Sequence, residues 1–219
     1  MNVIILFMAV LVAIVVWWIL LQRLTVKPWL GAGATFDDQR PYSRDISAKL
    51  GLWVFLAVIT SLFSLFATAY YMRMHVADWR PLPEPGILWT NTFLLLASGI
   101  ALQISQMTLR RQKTALARYL SITAWCLAIA FLVGQWAAWQ QLSAAGYLIW
   151  NNPANAFFFL LTGLHGIHIA GGIWVLSLAL WRYQRRSDSE NLLAIQLCSQ
   201  YWHYLFALWI LLFWLLSST

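Results

Sequence analysis

Acidic side chains are scarce in this chain, and none sits where a membrane enzyme or pump would need one. The sequence has 7 Asp and Glu against 14 Lys and Arg. Asp37, Asp38, Asp45, Asp78, Glu84, Asp188 and Glu190 all lie outside the long apolar runs, and the basic residues lie between those runs or at their ends. Intramembrane charge is costly and is retained mainly for work such as proton relay or ion coupling. Its absence disfavours a proton pump acting through this chain alone, and an ion-coupled carrier, which would also tend to show repeated halves. No HExxH, Walker loop or GxSxG motif appears, so hydrolysis and nucleotide chemistry have no carrier. Only two cysteines occur, Cys126 and Cys198. Both fall in the inner halves of apolar runs, where the expected role is as small packing residues rather than a disulfide or metal pair.

Apolar surface is abundant. The chain is 62% hydrophobic and 10% charged, whereas soluble domains carry about 25% charge. Six windows, near residues 3–21, 49–71, 89–109, 119–140, 156–181 and 196–216, reach the roughly 20 apolar residues that cross a hydrocarbon core. Each reads as a helix, because an open strand leaves its backbone unsatisfied in lipid. The expected fold is an all-α integral membrane protein of six transmembrane helices. Residues 1–48 form an N-terminal anchor and loop, and residues 49–219 a five-helix bundle. The apolar start lacks a basic n-region and a small-residue cleavage site, so a retained anchor is expected rather than a signal peptide.

The net charge of +7 does not point to nucleic acid, because its distribution is sided. In a six-span arrangement twelve of the fourteen Lys and Arg share one side, and only Arg73 and Arg80 lie on the other. This is the positive-inside pattern. It places three basic loops in the cytoplasm and both termini outside. Fifteen tryptophans are many for this length. Trp17, Trp18, Trp79, Trp89, Trp139, Trp150, Trp181 and Trp214 fall at expected span ends, as an interfacial belt requires. Trp53, Trp125, Trp174 and Trp209 fall deeper.

Histidine is the candidate chemistry. LTGLHGIHIAGG places His165 and His168 about 60° apart on one helical face, at 100° per residue, with Thr162 and Gly172 nearby. Gly163, Gly166 and Ala170 share the opposite face, smooth enough for close helix approach. A metal or haem held by His165, His168 and His203 is one reading. Depth opposes it: His168 lies about 20 Å, and His203 about 10 Å, above the inner surface at 1.5 Å per residue. The other reading is structural, with imidazoles hydrogen-bonded between helices. Gln196, Ser199, Gln200 and His203 form a polar stripe, and Gln103 and Gln106 end the third span at similar depth. These two groups are expected to meet each other, a partner subunit or a lipid head group.

Several segments resemble the subunit III family of haem-copper oxidases: LGLWVFLAVITSLFSLFATAYYMRM, WRPLPEPGILWTNTFLLLASG, GQWAAWQQL, FFFLLTGLHGIHIAGG and YWHYLFALWILLF. The resemblance runs in order from residue 49 to 216. It implies an accessory subunit without catalytic or redox centres of its own. Haem would sit on subunit I and copper on subunit II, within a hetero-oligomer of the bacterial inner membrane or, alternatively, the mitochondrial one. It also implies bound phospholipid and a structural role for His165, His168 and His203. A subunit of a nitric-oxide reductase or quinol oxidase fits the same resemblance. The family's buried acids after FLxS and after WHFV fall at Ile59 and Phe206 here, which leaves scaffold and lipid roles as the implied ones rather than proton delivery.

Overall fold

A computed structural model describes residues 40–82, 86–183 and 188–218, with side chains from Asp45 onward. The described residues contain helices and no strand. The helices are α1 (Arg40–Arg73), α2 (Ile87–Arg110), α3 (Thr114–Ala144), α4 (Pro153–Arg182) and α5 (Asp188–Ser217). All five are long and apolar enough to cross a membrane, α1 through its Asp45–Arg73 portion. The expected span at residues 3–21 lies outside the described residues. The expected division after residue 48 falls inside α1.

Two compact units part between Tyr71 and Met72. In the first, α1 buries Leu56, Ile59, Phe63, Ala67 and Tyr70, a stripe at the three-to-four spacing of one helical face. Thr60 and Thr68 turn their hydroxyls back to the carbonyls of Leu56 and Ser64, at 2.8 and 2.9 Å, so neither of these hydroxyls is left bare in apolar surroundings. Ile59, where the resemblance has a glutamate, is 1% exposed.

In the second unit, α2 packs on α3 and α5, α3 on α4, and α4 on α5. The four helices therefore close into a ring, each with two neighbours. Short connections make successive helices antiparallel. α3 lays Ala117, Ser121, Ala124 and Ala128 against its neighbours, all at most 1% exposed. Small side chains at this spacing let backbones approach, which drives helix association where lipid is as apolar as leucine. Ser98 and Ser105 of α2 donate to the α3 carbonyls of Ala124 and Ala117, both at 2.7 Å.

Helix ends follow local chemistry. Asn152 caps α4, accepting from the Ala154 amide at 3.2 Å, with Pro153 following; proline suits this position because its missing N–H would be unpaired there. α3 ends at Gly146, whose φ is 87°. Gly146 bonds the Ser143 carbonyl and Tyr147 that of Leu142, the two bonds of a Schellman cap. The α2–α3 turn has the same bond pattern, from Gln112 to Leu109 and Lys113 to Thr108. There Gln112 occupies the left-handed position, with φ 61°.

Candidate functional site in the bundle interior

The interior of the ring is built from indoles, hydroxyls and one imidazole. Trp209 of α5 donates to Thr92 of α2 at 2.9 Å, and Trp202 of α5 to Ser98 of α2 at 2.9 Å. On the other side, Trp139 of α3 donates to Thr162 of α4 at 3.1 Å, and Trp125 of α3 to Ser177 of α4 at 2.8 Å. Each accepting hydroxyl sends its own proton to a backbone carbonyl: Thr92 to Leu88, Thr162 to Phe158, Ser177 to Ile173, and Ser98 across to Ala124. A hydroxyl bonded this way keeps a lone pair facing the next helix, and an indole N–H can only donate. The four pairs are thus complementary cross-links, two joining α2 to α5 and two joining α3 to α4. At roughly 0.6 kcal/mol per interhelical bond in membranes, together they contribute about 2–3 kcal/mol and fix helix rotation.

His165 is fully buried. Its ring stacks on Trp209, with centroids 5.1 Å apart and planes 29° apart, and meets the edge of Phe131 at 5.8 Å. Phe131 and Trp209 are themselves edge-to-face at 5.1 Å. Neither ring nitrogen of His165 has a hydrogen-bond partner among the described residues. The sequence suggested a hydrogen-bonded imidazole, and the structure gives a packed one. The physical reason lies in its neighbours: aromatic rings enclose it, and Thr162, one turn away, is already held between Phe158 and Trp139.

His168 is half-buried and His203 exposed. Both turn Nδ1 to a carbonyl of their own helix, Leu164 and Ser199, at 2.7 Å; because a carbonyl only accepts, these nitrogens carry the proton. Tyr201 donates to the His168 carbonyl at 2.9 Å. The three imidazoles therefore occupy different environments, and among the described residues no group of three His, Cys, Asp or Glu is placed to hold a metal. Of the inner polar residues, Ser199 donates to Gln103 at 2.9 Å, which joins α5 to α2. Gln106 is buried, while Gln196 and Gln200 are half-exposed.

The tight helix approaches are at two glycines. A Cβ on Gly134 would lie 2.1 Å from Oδ1 of Asn91, a fully buried residue whose amide donates to Gln135 at 3.4 Å. A Cβ on Gly172 would lie 2.9 Å from the rings of Tyr201 and Trp202. At Gly163 and Gly166 the nearest atoms, on Trp139 and Leu132, are at the ordinary contact distances of 3.6 and 3.7 Å, and Ala170 is exposed. Cys126 and Cys198 are free thiols, exposed and buried respectively.

At the C-terminal end of α1, Arg73 grips Asp78 of the following loop through two bonds of 2.7 and 2.5 Å, which holds the Asp78 carboxyl below its ordinary pKa. Asn152 links the loops, donating to the Arg80 carbonyl at 2.5 Å while its Oδ1 accepts from the Arg80 amide at 3.4 Å. At the opposite end Tyr183 donates to the Thr114 carbonyl at 3.0 Å, and Asn191 to the Tyr183 carbonyl at 2.9 Å. Burial raises the Tyr183 phenol, Asp188 adds to the rise, and Arg118 opposes it.

The sequence reading missed the indole cross-links. Their signal was present: Trp202 and Trp209 are seven residues apart, hence on one face of a helix, and so both point inward.

Five spanning helices, a closed ring and a core of indole–hydroxyl pairs define a multi-pass helical membrane protein braced from within. The chain belongs to the cytochrome c oxidase subunit III family, whose model matches residues 2–217. It is similar to a Staphylococcus saprophyticus protein named "Probable quinol oxidase subunit 3", with 30% identity covering 80% of this chain and 90% of that one. A Staphylococcus haemolyticus protein of the same name matches at 30% with the same coverage. A Synechocystis protein named "Cytochrome c oxidase subunit 3" matches at 29%, covering 88% of each chain. The chain is thus a subunit of a respiratory oxidase and works within a hetero-oligomer.

Proposed function

We propose that the chain is an accessory brace of a terminal haem-copper oxidase, carrying no redox cofactor itself. It supports assembly and stability of the oxygen-reducing core, with haem on subunit I and copper on subunit II, and it holds phospholipid. In this reading residues 3–21 supply a sixth span. The protein lies in the bacterial inner membrane with both termini periplasmic, following the sidedness of the Lys and Arg residues.

One observation carries the proposal: the indoles and hydroxyls of the interior serve helix-to-helix and helix-to-self bonds. Thr162 takes part in an α3–α4 cross-link and Ser199 in an α2–α5 bond. His165 is enclosed by aromatic rings, while His168 and His203 close on their own helix. Gln103 extends this bonding through Ser199, and Gln106, Gln196 and Gln200 are assigned to the same polar region. Ile59 and Phe206 replace acids of the resemblance with apolar groups, which favours a brace over proton delivery. Relatives named for quinol and for cytochrome c oxidases match about equally, so the electron donor is assigned to the partner subunits. Affinity purification from native membranes tests the proposal. A haem-bearing polypeptide should accompany the chain at fixed stoichiometry, and its absence from intact preparations refutes the reading.

A further inference from the structure

One face of α5 is chemically out of place. Gln196, Gln200, His203, Ala207, Ile210 and Trp214 recur at three-to-four spacing. The two glutamines are half-exposed, and the remaining four are exposed. The opposite face, with Ile195, Trp202, Leu205 and Trp209, is buried. An outward face of a spanning helix normally carries apolar side chains alone, because polar groups at depth turn toward protein. His203 breaks that pattern inside the apolar run, about 10 Å beyond Gln196, where the run begins, at 1.5 Å per residue. Since Nδ1 donates to the Ser199 carbonyl, the neutral ring presents Nε2 as an acceptor. Lipid tails offer no donor, and head groups lie outside a hydrocarbon core about 30 Å thick. Ala207, one turn beyond His203, leaves room for a backbone to approach.

We propose that this stripe of α5 seats a transmembrane helix of another oxidase subunit, one that presents a hydrogen-bond donor to His203 Nε2 and packs closely over Ala207. The inference rests on the oxidase reading above and adds the surface and its complementary chemistry. A second copy of this chain fits less well. A two-fold axis along the membrane normal sets residues of equal depth opposite each other, and that places one acceptor against another.

The test uses the intact complex. A photo-crosslinking amino acid is introduced at Ala207 in the full chain, membranes are illuminated, and the adduct is identified by mass. Separately, His203→Leu and His203→Asn are compared for retention of the chain on the complex through detergent washing, with membrane levels of each variant as the folding control. The expected result is an adduct with another oxidase polypeptide. His203→Leu should weaken retention about threefold, as one interhelical bond predicts, and His203→Asn, which keeps an acceptor, should restore part of it. An adduct only with lipid, with a second copy or within the chain overturns the inference, as does full retention of His203→Leu. If the wild-type chain brings down no haem-bearing subunit at all, the oxidase reading itself falls. Normal copurification with a lipid-only adduct removes the α5 docking face alone.

Discussion

Gly134→Ala is the sharpest test of the bundle geometry. The added methyl would sit 2.1 Å from Asn91 Oδ1, more than an ångström inside an ordinary contact of about 3.5 Å, and 3.0 Å from its Cγ. Asn91 is fully buried, so it must rotate within a packed interior and lose its bond to Gln135. Overpacking costs about 1–3 kcal/mol and the lost buried bond about 1 more, so a destabilisation of about 2–4 kcal/mol is expected. The assay is denaturant unfolding of the purified complex, following dissociation of this chain. Asn91→Ala removes the obstacle, so the double variant should cost less than the two single variants together, with a coupling above ~1 kcal/mol. Strict additivity, or a Gly134→Ala protein within ~0.5 kcal/mol of wild type, would refute the α2–α3 approach described above.

Other outcomes follow from the same geometry. Gly172→Ala, pressed against Tyr201 and Trp202, should destabilise by about 1–3 kcal/mol, whereas Gly166→Ala, at ordinary contact distance, should gain about 0.5–1 kcal/mol from helix propensity; thermal unfolding ranks the two. Trp209→Phe keeps a ring beside His165 and removes the bond to Thr92, so it should cost about 0.6 kcal/mol or somewhat more, and pairing it with Thr92→Ala should reveal the coupling. Gln112→Gly relieves the φ of 61° and should stabilise by about 0.4–1 kcal/mol, read as a rise in thermal midpoint. Because Arg73 depresses the Asp78 pKa in the folded state, their pairing stabilises above the ordinary value of 3.8 and is lost as pH falls below it; Asp78→Asn should abolish that acid-side step in a stability-against-pH series.

Much of the fold was legible because apolar length is a direct physical requirement of the bilayer. All five described helices contain the windows read from hydropathy. Their ends extend further, since a helix continues past the hydrocarbon wherever caps allow it. α4 begins at Pro153 rather than near 156 because Asn152 supplies the cap, and α5 begins at Asp188 rather than 196, with Asp188 and Glu190 in its first turn, where acids suit the helix dipole. The interior was harder to read. Trp209 and Thr92 are 117 positions apart in sequence, and no local pattern pairs a particular indole with a particular hydroxyl. The glycine-bearing face of α4 drew attention to Gly163 and Gly166. The closest approaches fall instead at Gly172, and at Gly134, where it is Asn91 of the neighbouring helix that leaves no space. His165 looked bondable from its type alone; its aromatic enclosure depends on Phe131 and Trp209, from two other helices.

The proposed role is that this chain braces an oxidase and carries no redox centre itself. The most direct measurement is an absorption spectrum of this polypeptide after it is stripped from the purified complex, alongside that of the remaining subunits. The account predicts that the whole haem signal stays with the remaining subunits and that the stripped chain has no Soret band. A Soret band that travels with this chain and disappears on His168→Ala would contradict it.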